Sequence, residues 1–96
     1  MYGLIAKMTA SPGQRDSLTA ILMDELTGRQ GCLSYIVAHD PADEHAVWVT
    51  EVWTDEATHR ASVREPAVKA IIARCIDKMA TFSDAQVTRP LGGTGL

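Results

Sequence analysis

The nine residues His45-Ala-Val-Trp-Val-Thr-Glu-Val-Trp53 constrain the fold more than any other stretch, because they read as a β-strand that is largely apolar on both faces. Alternate side chains of a strand point to opposite sides, so Val47, Val49, Glu51 and Trp53 share one face and Ala46, Trp48, Thr50 and Val52 the other. Such a strand needs cover on both sides. Its last three residues, Glu51-Val52-Trp53, lead through Thr54-Asp55 straight into a helical segment containing Ala57.

The rest of the chain can be read outward from this strand. Tyr2 to Ala10 alternates as a first strand, with Tyr2, Leu4, Ala6 and Met8 on one side and Ile5, Lys7 and Thr9 on the other. Ser11-Pro12-Gly13-Gln14 reads as a helix start, in which Ser11 caps, Pro12 takes the first helical position and Gln14 completes a capping box. The helix is expected to run to about Thr27, with Leu18, Ile21, Leu22 and Leu26 as its core stripe and Gly28 and Gly31 at its exit. Cys32 to His39 is a second strand, and the polar Asp40-Pro41-Ala42-Asp43-Glu44 connects it to the third. A short helix from about Asp55 to Arg64 stops near Pro66, which itself starts a longer helix carrying Val68, Ile71, Ile72, Cys75 and Met79 on one face. Phe82 is expected to pack at its exit, Ala85 to Leu91 to form a last short strand, and Gly92 to Leu96 to be a flexible tail, leaving residues 1–91 as one domain.

The order β-α-β-β-α-α-β divides into two β-α-β halves. Right-handed crossovers then give an α+β, ferredoxin-like fold with a four-stranded antiparallel sheet and all helices on one face. The other face is left apolar, and a second copy of the same sheet packed back to back would cover it, so a homodimer is the expected state. Size points the same way, since a lone domain of 96 residues buries only about 60 to 65% of its unfolded surface. The net charge of -3, with both signs interspersed, offers no basic stripe for a phosphate backbone, and nucleic acid is not an expected partner. No apolar run approaches the roughly 20 residues that span a bilayer, and no charged leader precedes the first strand, so the expectation is a cytoplasmic protein without a membrane partner. Cys32 and Cys75 lack metal-ligand spacing and read as free thiols. His39 and His45 flank an acidic loop that likewise lacks such spacing, and no metal site is expected.

Gly31-Cys32, Tyr35, Asp40-Pro41, Glu51-Val52-Trp53, Asp55, Ala57 and Pro66, in this order and spacing, give a chain that resembles the antibiotic biosynthesis monooxygenase family from Tyr2 to about Leu91. The resemblance implies a dimeric α+β barrel. It also implies an oxygenase with no cofactor that converts an aromatic quinol or polyphenol to a quinone with O2. One departure stands out: where family members usually carry a histidine, nine residues after the aromatic of Glu51-Val52-Trp53 and four before the proline, this chain has Ser62, with His59 one helical turn earlier. Haem-degrading members resemble one another in an asparagine, a tryptophan and an axial histidine whose positions fall here on Ala6, Ser62 and Ile72. None of these can do the corresponding job, which disfavours haem degradation.

Oxidation of a phenol by O2 without a metal needs a substrate that reduces oxygen once deprotonated, and therefore a pocket that binds the anion and excludes water. The family pocket lies between sheet and helices, which implies Ala6 and Met8 from strand one, Val49 and Trp53 from strand three, and Ser62 as substrate-binding residues, with His59 and Glu51 as catalytic candidates. Trp53 either stacks on a flat substrate or seals the core. Glu51, a carboxylate on a covered face, either is paired with an arginine such as Arg74 or Arg89 or serves as a general base. His59 either accepts a phenolic proton or sits exposed on its helix. Tyr35 and Trp48 read as core or dimer contacts. The alternative function is a non-catalytic dimeric barrel that binds a small ligand or acts in a stress response, since fold alone does not decide function.

Overall fold

Pairing of the first and third strands organises the molecule. The computed structural model describes residues 1–96. In it, β1 (Tyr2–Ala10) runs antiparallel to β3 (Ala46–Trp53) without a break, from Tyr2 opposite Trp53 to Thr9 opposite Ala46. The outer edge of β3 pairs with β2 (Cys32–His39), again antiparallel, with a register irregularity between Cys32 and Ser34. Three helices, α1 (Arg15–Glu25), α2 (Glu56–Arg64) and α3 (Pro66–Ile76), complete the ferredoxin-like arrangement.

The fourth position in the sheet is shared by two short strands. The apolar series Val68, Ile71, Ile72, Cys75 and Met79 does not all belong to one helix: α3 ends at Ile76, and Met79 opens β4 (Met79–Phe82). β5 (Gln86–Thr88) follows, shorter than the expected strand from Ala85 to Leu91. Both β4 and β5 lie against the free edge of β1, with Met8 opposite Phe82 and Leu4 opposite Val87. An unpaired edge of backbone N–H and C=O groups is costly when covered, and β1 satisfies it by recruiting these two pieces in turn. Gly3 makes the second docking possible, because a β-carbon there would run into Thr88 and Pro90.

The start of α1 also differs from the sequence reading. Ser11 does not cap the helix. Gln14 occupies the cap position without a side-chain hydrogen bond, and its own N–H donates to the Ser11 carbonyl at 2.9 Å, so Ser11 to Gln14 form a turn ahead of the helix. The helix is held by packing: Leu18, Ile21 and Leu22, followed by Leu26, are buried against Met8, Ala10, Val47 and Val49 of the sheet and Val68 and Cys75 of α3.

Helix α2, by contrast, has a strong local start. Asp55 is extended, and its carboxylate accepts from the Thr58 N–H at 2.7 Å, which holds the carboxyl below its ordinary range. The helix ends because Glu65 precedes Pro66 and is forced into an extended conformation, with φ -62° and ψ 132°. No helix is long and apolar enough to cross a membrane.

Gly31 fixes the loop before β2 against the first turn of α2. It has φ +81°, a β-carbon there would collide with the Thr58 methyl, and its carbonyl accepts from the Thr54 N–H at 3.0 Å. A left-handed backbone costs a non-glycine residue about 1 to 2 kcal/mol, and the collision adds to it. Gly31→Ala should therefore lower the melting temperature by at least about 4 to 8 °C. Thr58→Ser, which removes the offending methyl, should restore part of that loss in the double variant, as read by thermal denaturation. An unchanged melting temperature in Gly31→Ala would contradict this account of the loop.

Candidate functional site

Between the sheet and the helices lies a cavity of about 270 Å³. Its size is near the lower end of small-molecule pockets, and its walls are mostly hydrophobic. Leu4, Ala6 and Met8 of β1 and Val49, Glu51 and Trp53 of β3 form its floor, as the strand register allows: Leu4 lies opposite Glu51 and Ala6 opposite Val49. All seven residues singled out from the sequence, Ala6, Met8, Val49, Glu51, Trp53, His59 and Ser62, line this one space. Ile72 lines it too, so the three positions at issue for haem, Ala6, Ser62 and Ile72, face the cavity without an iron ligand among them. No three His, Cys, Asp or Glu side chains gather anywhere in a metal-holding cluster.

Glu51 and Trp53 are two residues apart on one face of β3 and touch directly. The Trp53 indole Nε1 donates to Glu51 Oε1 at 2.9 Å, leaving Oε2 without a protein partner. The expected arginine partners are not used. Arg74 instead donates two hydrogen bonds to Glu25 at 2.7 and 2.8 Å, bridging α3 to α1 and holding the Glu25 carboxyl below its ordinary range, while Arg89 makes no ion pair with Glu51. A bidentate guanidinium–carboxylate match favours that exposed pair, and it lies outside the cavity lining.

Trp53 is almost fully buried, and the His59 ring meets it edge-on, with centroids 5.2 Å apart and planes at 69°. Tyr2, opposite Trp53 in the β1–β3 register, has its ring centre 5.5 Å from that of His59. His59 is thus half-buried in an aromatic corner rather than exposed on its helix, and neither ring nitrogen has a protein partner. Edge-to-face packing of this kind holds both rings in place. The arrangement follows from the Asp55 cap, which starts α2 immediately after Trp53 and brings His59 back over it within the first turn.

Two polar residues of the lining are absent from the sequence-based set. Tyr35 pairs with Glu51 across β2 and β3 and faces the cavity. Burial first, and then the nearby Glu51 carboxylate, push its phenol well above the ordinary range, so it remains a neutral hydrogen-bond donor. Arg29, in the loop between α1 and β2, reaches across to α2: its Nε donates to Ser62 Oγ at 2.8 Å and its Nη2 to Glu65 Oε2 at 2.7 Å. Tyr35 carried a signal, the alternation of β2 together with its pairing to β3. Arg29 carried none, because a loop residue bound to partners more than 30 positions away obeys no periodicity.

The Tyr35 environment has a measurable consequence. A phenol whose folded-state affinity for its proton is raised contributes stability that is complete below the unfolded value, near pH 10, and is lost as pH rises through the range above it. Wild-type melting temperatures should therefore fall more steeply above about pH 10 than those of Tyr35→Phe. Parallel slopes for the two proteins in differential scanning fluorimetry would refute this.

Comparison with known proteins gives this site a family context. The profile for antibiotic biosynthesis monooxygenase matches residues 1–74. A solved structure from Chloroflexus aurantiacus that carries the same family name is 48% identical, covers 96% of this chain and 94% of its own, and superposes with a TM-score of 0.89. Another so named, from Deinococcus radiodurans, is 20% identical, with 98% and 95% of the two chains covered and a TM-score of 0.75, a likeness of fold alone. No functionally curated protein gives a significant match. The profile match over most of the chain, and near-half identity to a structure of the same fold, place the apolar cavity and its Glu51-Val52-Trp53 strand end in a known setting: the chain belongs to the antibiotic biosynthesis monooxygenase family.

Proposed function

We propose that this protein is a monooxygenase that needs no cofactor and oxidises an aromatic quinol or polyphenol to a quinone with O2. The observation that carries the reading is the Glu51 carboxylate, which lines an apolar cavity with one oxygen anchored by the Trp53 indole and the other without a protein partner. A carboxylate so placed is suited to accept a phenolic proton, and His59 at the same end offers a second acceptor. The phenolate passes an electron to O2, and the resulting radical pair joins at a ring carbon to give a hydroperoxide. Loss of water then leaves a carbonyl: one oxygen atom enters the ring, and the other departs in water together with the ring hydrogen and the phenolic proton. The protein's share is to deprotonate, orient and keep water out, for which the Trp53 face, Ala6, Met8 and Val49 serve as a flat apolar seat and Ser62 as a polar contact.

Oxygen-electrode assays on a panel of hydroquinones and polycyclic phenols test this directly. Glu51→Gln keeps an acceptor for the Trp53 indole while removing the base, and should lower turnover by about 100-fold or more with little change in melting temperature. Wild-type turnover in that variant would shift the proton to His59, and wild-type turnover in both Glu51→Gln and His59→Ala would remove both from the mechanism. Ligand-induced thermal stabilisation without oxygen uptake across the panel would favour a binding role instead.

The same reading includes a homodimer joined through the open face of the sheet. Cross-strand rows on that face align Ile36, Thr50 and Ile5, with Ala38, Trp48 and Lys7 beside them. Ile36, Trp48 and Ile5 are 55%, 38% and 37% exposed, an apolar patch suited to an identical partner. Residues 1–91 would act as the single functional unit, and the two free thiols suit the reducing cytoplasm. Sedimentation velocity at micromolar concentration should give a dimer, and Ile36→Asp should shift it to monomer. A wild-type monomer would reject the assembly.

A further inference from the structure

Arg29 stands at the boundary between the cavity and the surface. With Ser62 it lines the internal space, and the same two residues also line a polar surface groove that includes Asp55, Thr58 and Glu65. The Arg29 side chain is only 19% exposed and Ser62 only 6%. Two of the three guanidinium nitrogens are held, Nε by Ser62 Oγ and Nη2 by Glu65, so the group is fixed in orientation while Nη1 has no protein partner. Ser62 Oγ accepts from Arg29, which leaves its own hydroxyl hydrogen free to donate. The pair therefore offers unsatisfied donors, one of them on a permanent cation, at the rim of a mostly apolar space.

We infer that Arg29 and Ser62 form an oxyanion-binding subsite that holds the oxygen of a phenol once its proton has left, so that the protein favours phenolate over neutral phenol in the bound state. This rests on the phenol-oxidising reading above and adds a substrate class to it: rings carrying an acidic hydroxyl at the edge that meets Arg29. Charge explains the selection. A neutral phenol meets donors only, whereas a phenolate gains charge-assisted hydrogen bonds in a setting where water competes weakly. The other groups around the space do not supply a fixed positive charge: Glu51 of β3 and Glu65 at the α2–α3 junction are acidic, Tyr35 of β2 and Cys75 of α3 are neutral, and His59 of α2 alone can gain a charge.

The test uses 4-nitrophenol, whose phenolate is coloured, titrated with and without saturating protein. Bound to the wild type, its ionisation should move down by about one pH unit, equivalent to roughly tenfold tighter binding of phenolate than phenol. Arg29→Met should abolish the shift and Arg29→Lys should keep most of it. A merely structural arginine would change the melting temperature without moving the ionisation. Should Arg29→Met fail to fold, Arg29→Gln, which retains a donor for Ser62 and Glu65, takes its place with the same expected loss. Repeating the titration in His59→Gln ensures that an imidazolium does not supply the preference, and 4-nitroanisole, which has no proton to lose, should bind independently of pH. Absence of saturable binding, an unshifted ionisation in the wild type, a shift that survives loss of the Arg29 charge, or one that vanishes in His59→Gln would each overturn the inference. Oxygen uptake is measured separately: a shifted ionisation without uptake of O2 on any phenol refutes the oxygenase reading and leaves the subsite standing, whereas turnover with an unshifted ionisation does the reverse.

Discussion

The unbroken register between β1 and β3 is the constraint on which the rest depends. Leu4 faces Glu51, Ala6 faces Val49 and Met8 faces Val47, so one set of alternate residues from the two central strands lies under the helices. A slip of β1 by one residue would turn Leu4, Ala6 and Met8 outward and bring Ile5, Lys7 and Thr9 in, burying a lysine and stripping the cavity floor of its β1 half. Burial of Leu18, Ile21 and Leu22 on this surface specifies the register, since one face of each strand must stay covered.

The polar end of the cavity depends on how the chain leaves β3. Trp53 ends the strand, Asp55 caps α2 two residues later, and Pro66 forces the break between α2 and α3. Helix α2 is short, and its placement is set at both ends by local chemistry, which returns His59 over Trp53 and brings Ser62 to the lining one turn later. Gly31 allows the loop before β2 to approach the same helix closely, and Arg29, two residues earlier, thereby meets Ser62 and Glu65. Hydrophobic burial builds the floor of the site, and capping, a proline and a glycine build its rim.

The two faces of the sheet solve different problems. The helix-covered face combines a close-packed core with a space lined by few polar groups. On the other, Lys7 lies 5.5 Å from the centre of the Trp48 ring, and Asp40 accepts from the Trp48 indole at 3.0 Å, so the largest exposed aromatic has a polar frame while Ile5 and Ile36 beside it have none.

Much of this is legible in the sequence, because strands announce themselves by a period of two and helices by a stripe, both properties of neighbours along the chain. The alternation of β1 and β3 suffices to place Ala6, Met8, Val49, Glu51 and Trp53 on one face, and the order of short motifs points to the family. Other features follow from closure of the chain on itself. The apolar series after Pro66 could not reveal that α3 stops at Ile76, since Met79 leaves the helix to satisfy a strand edge about 70 residues earlier in the chain. Nor could composition assign Glu51 to the Trp53 indole when Arg74 and Arg89 were available, because Arg74 is claimed by Glu25 only once α1 and α3 pack together. The Arg29 contact with Ser62 is of the same kind. Periodicity along the chain determines which face a side chain takes, whereas the partner it meets there depends on distances that exist only after distant elements have packed.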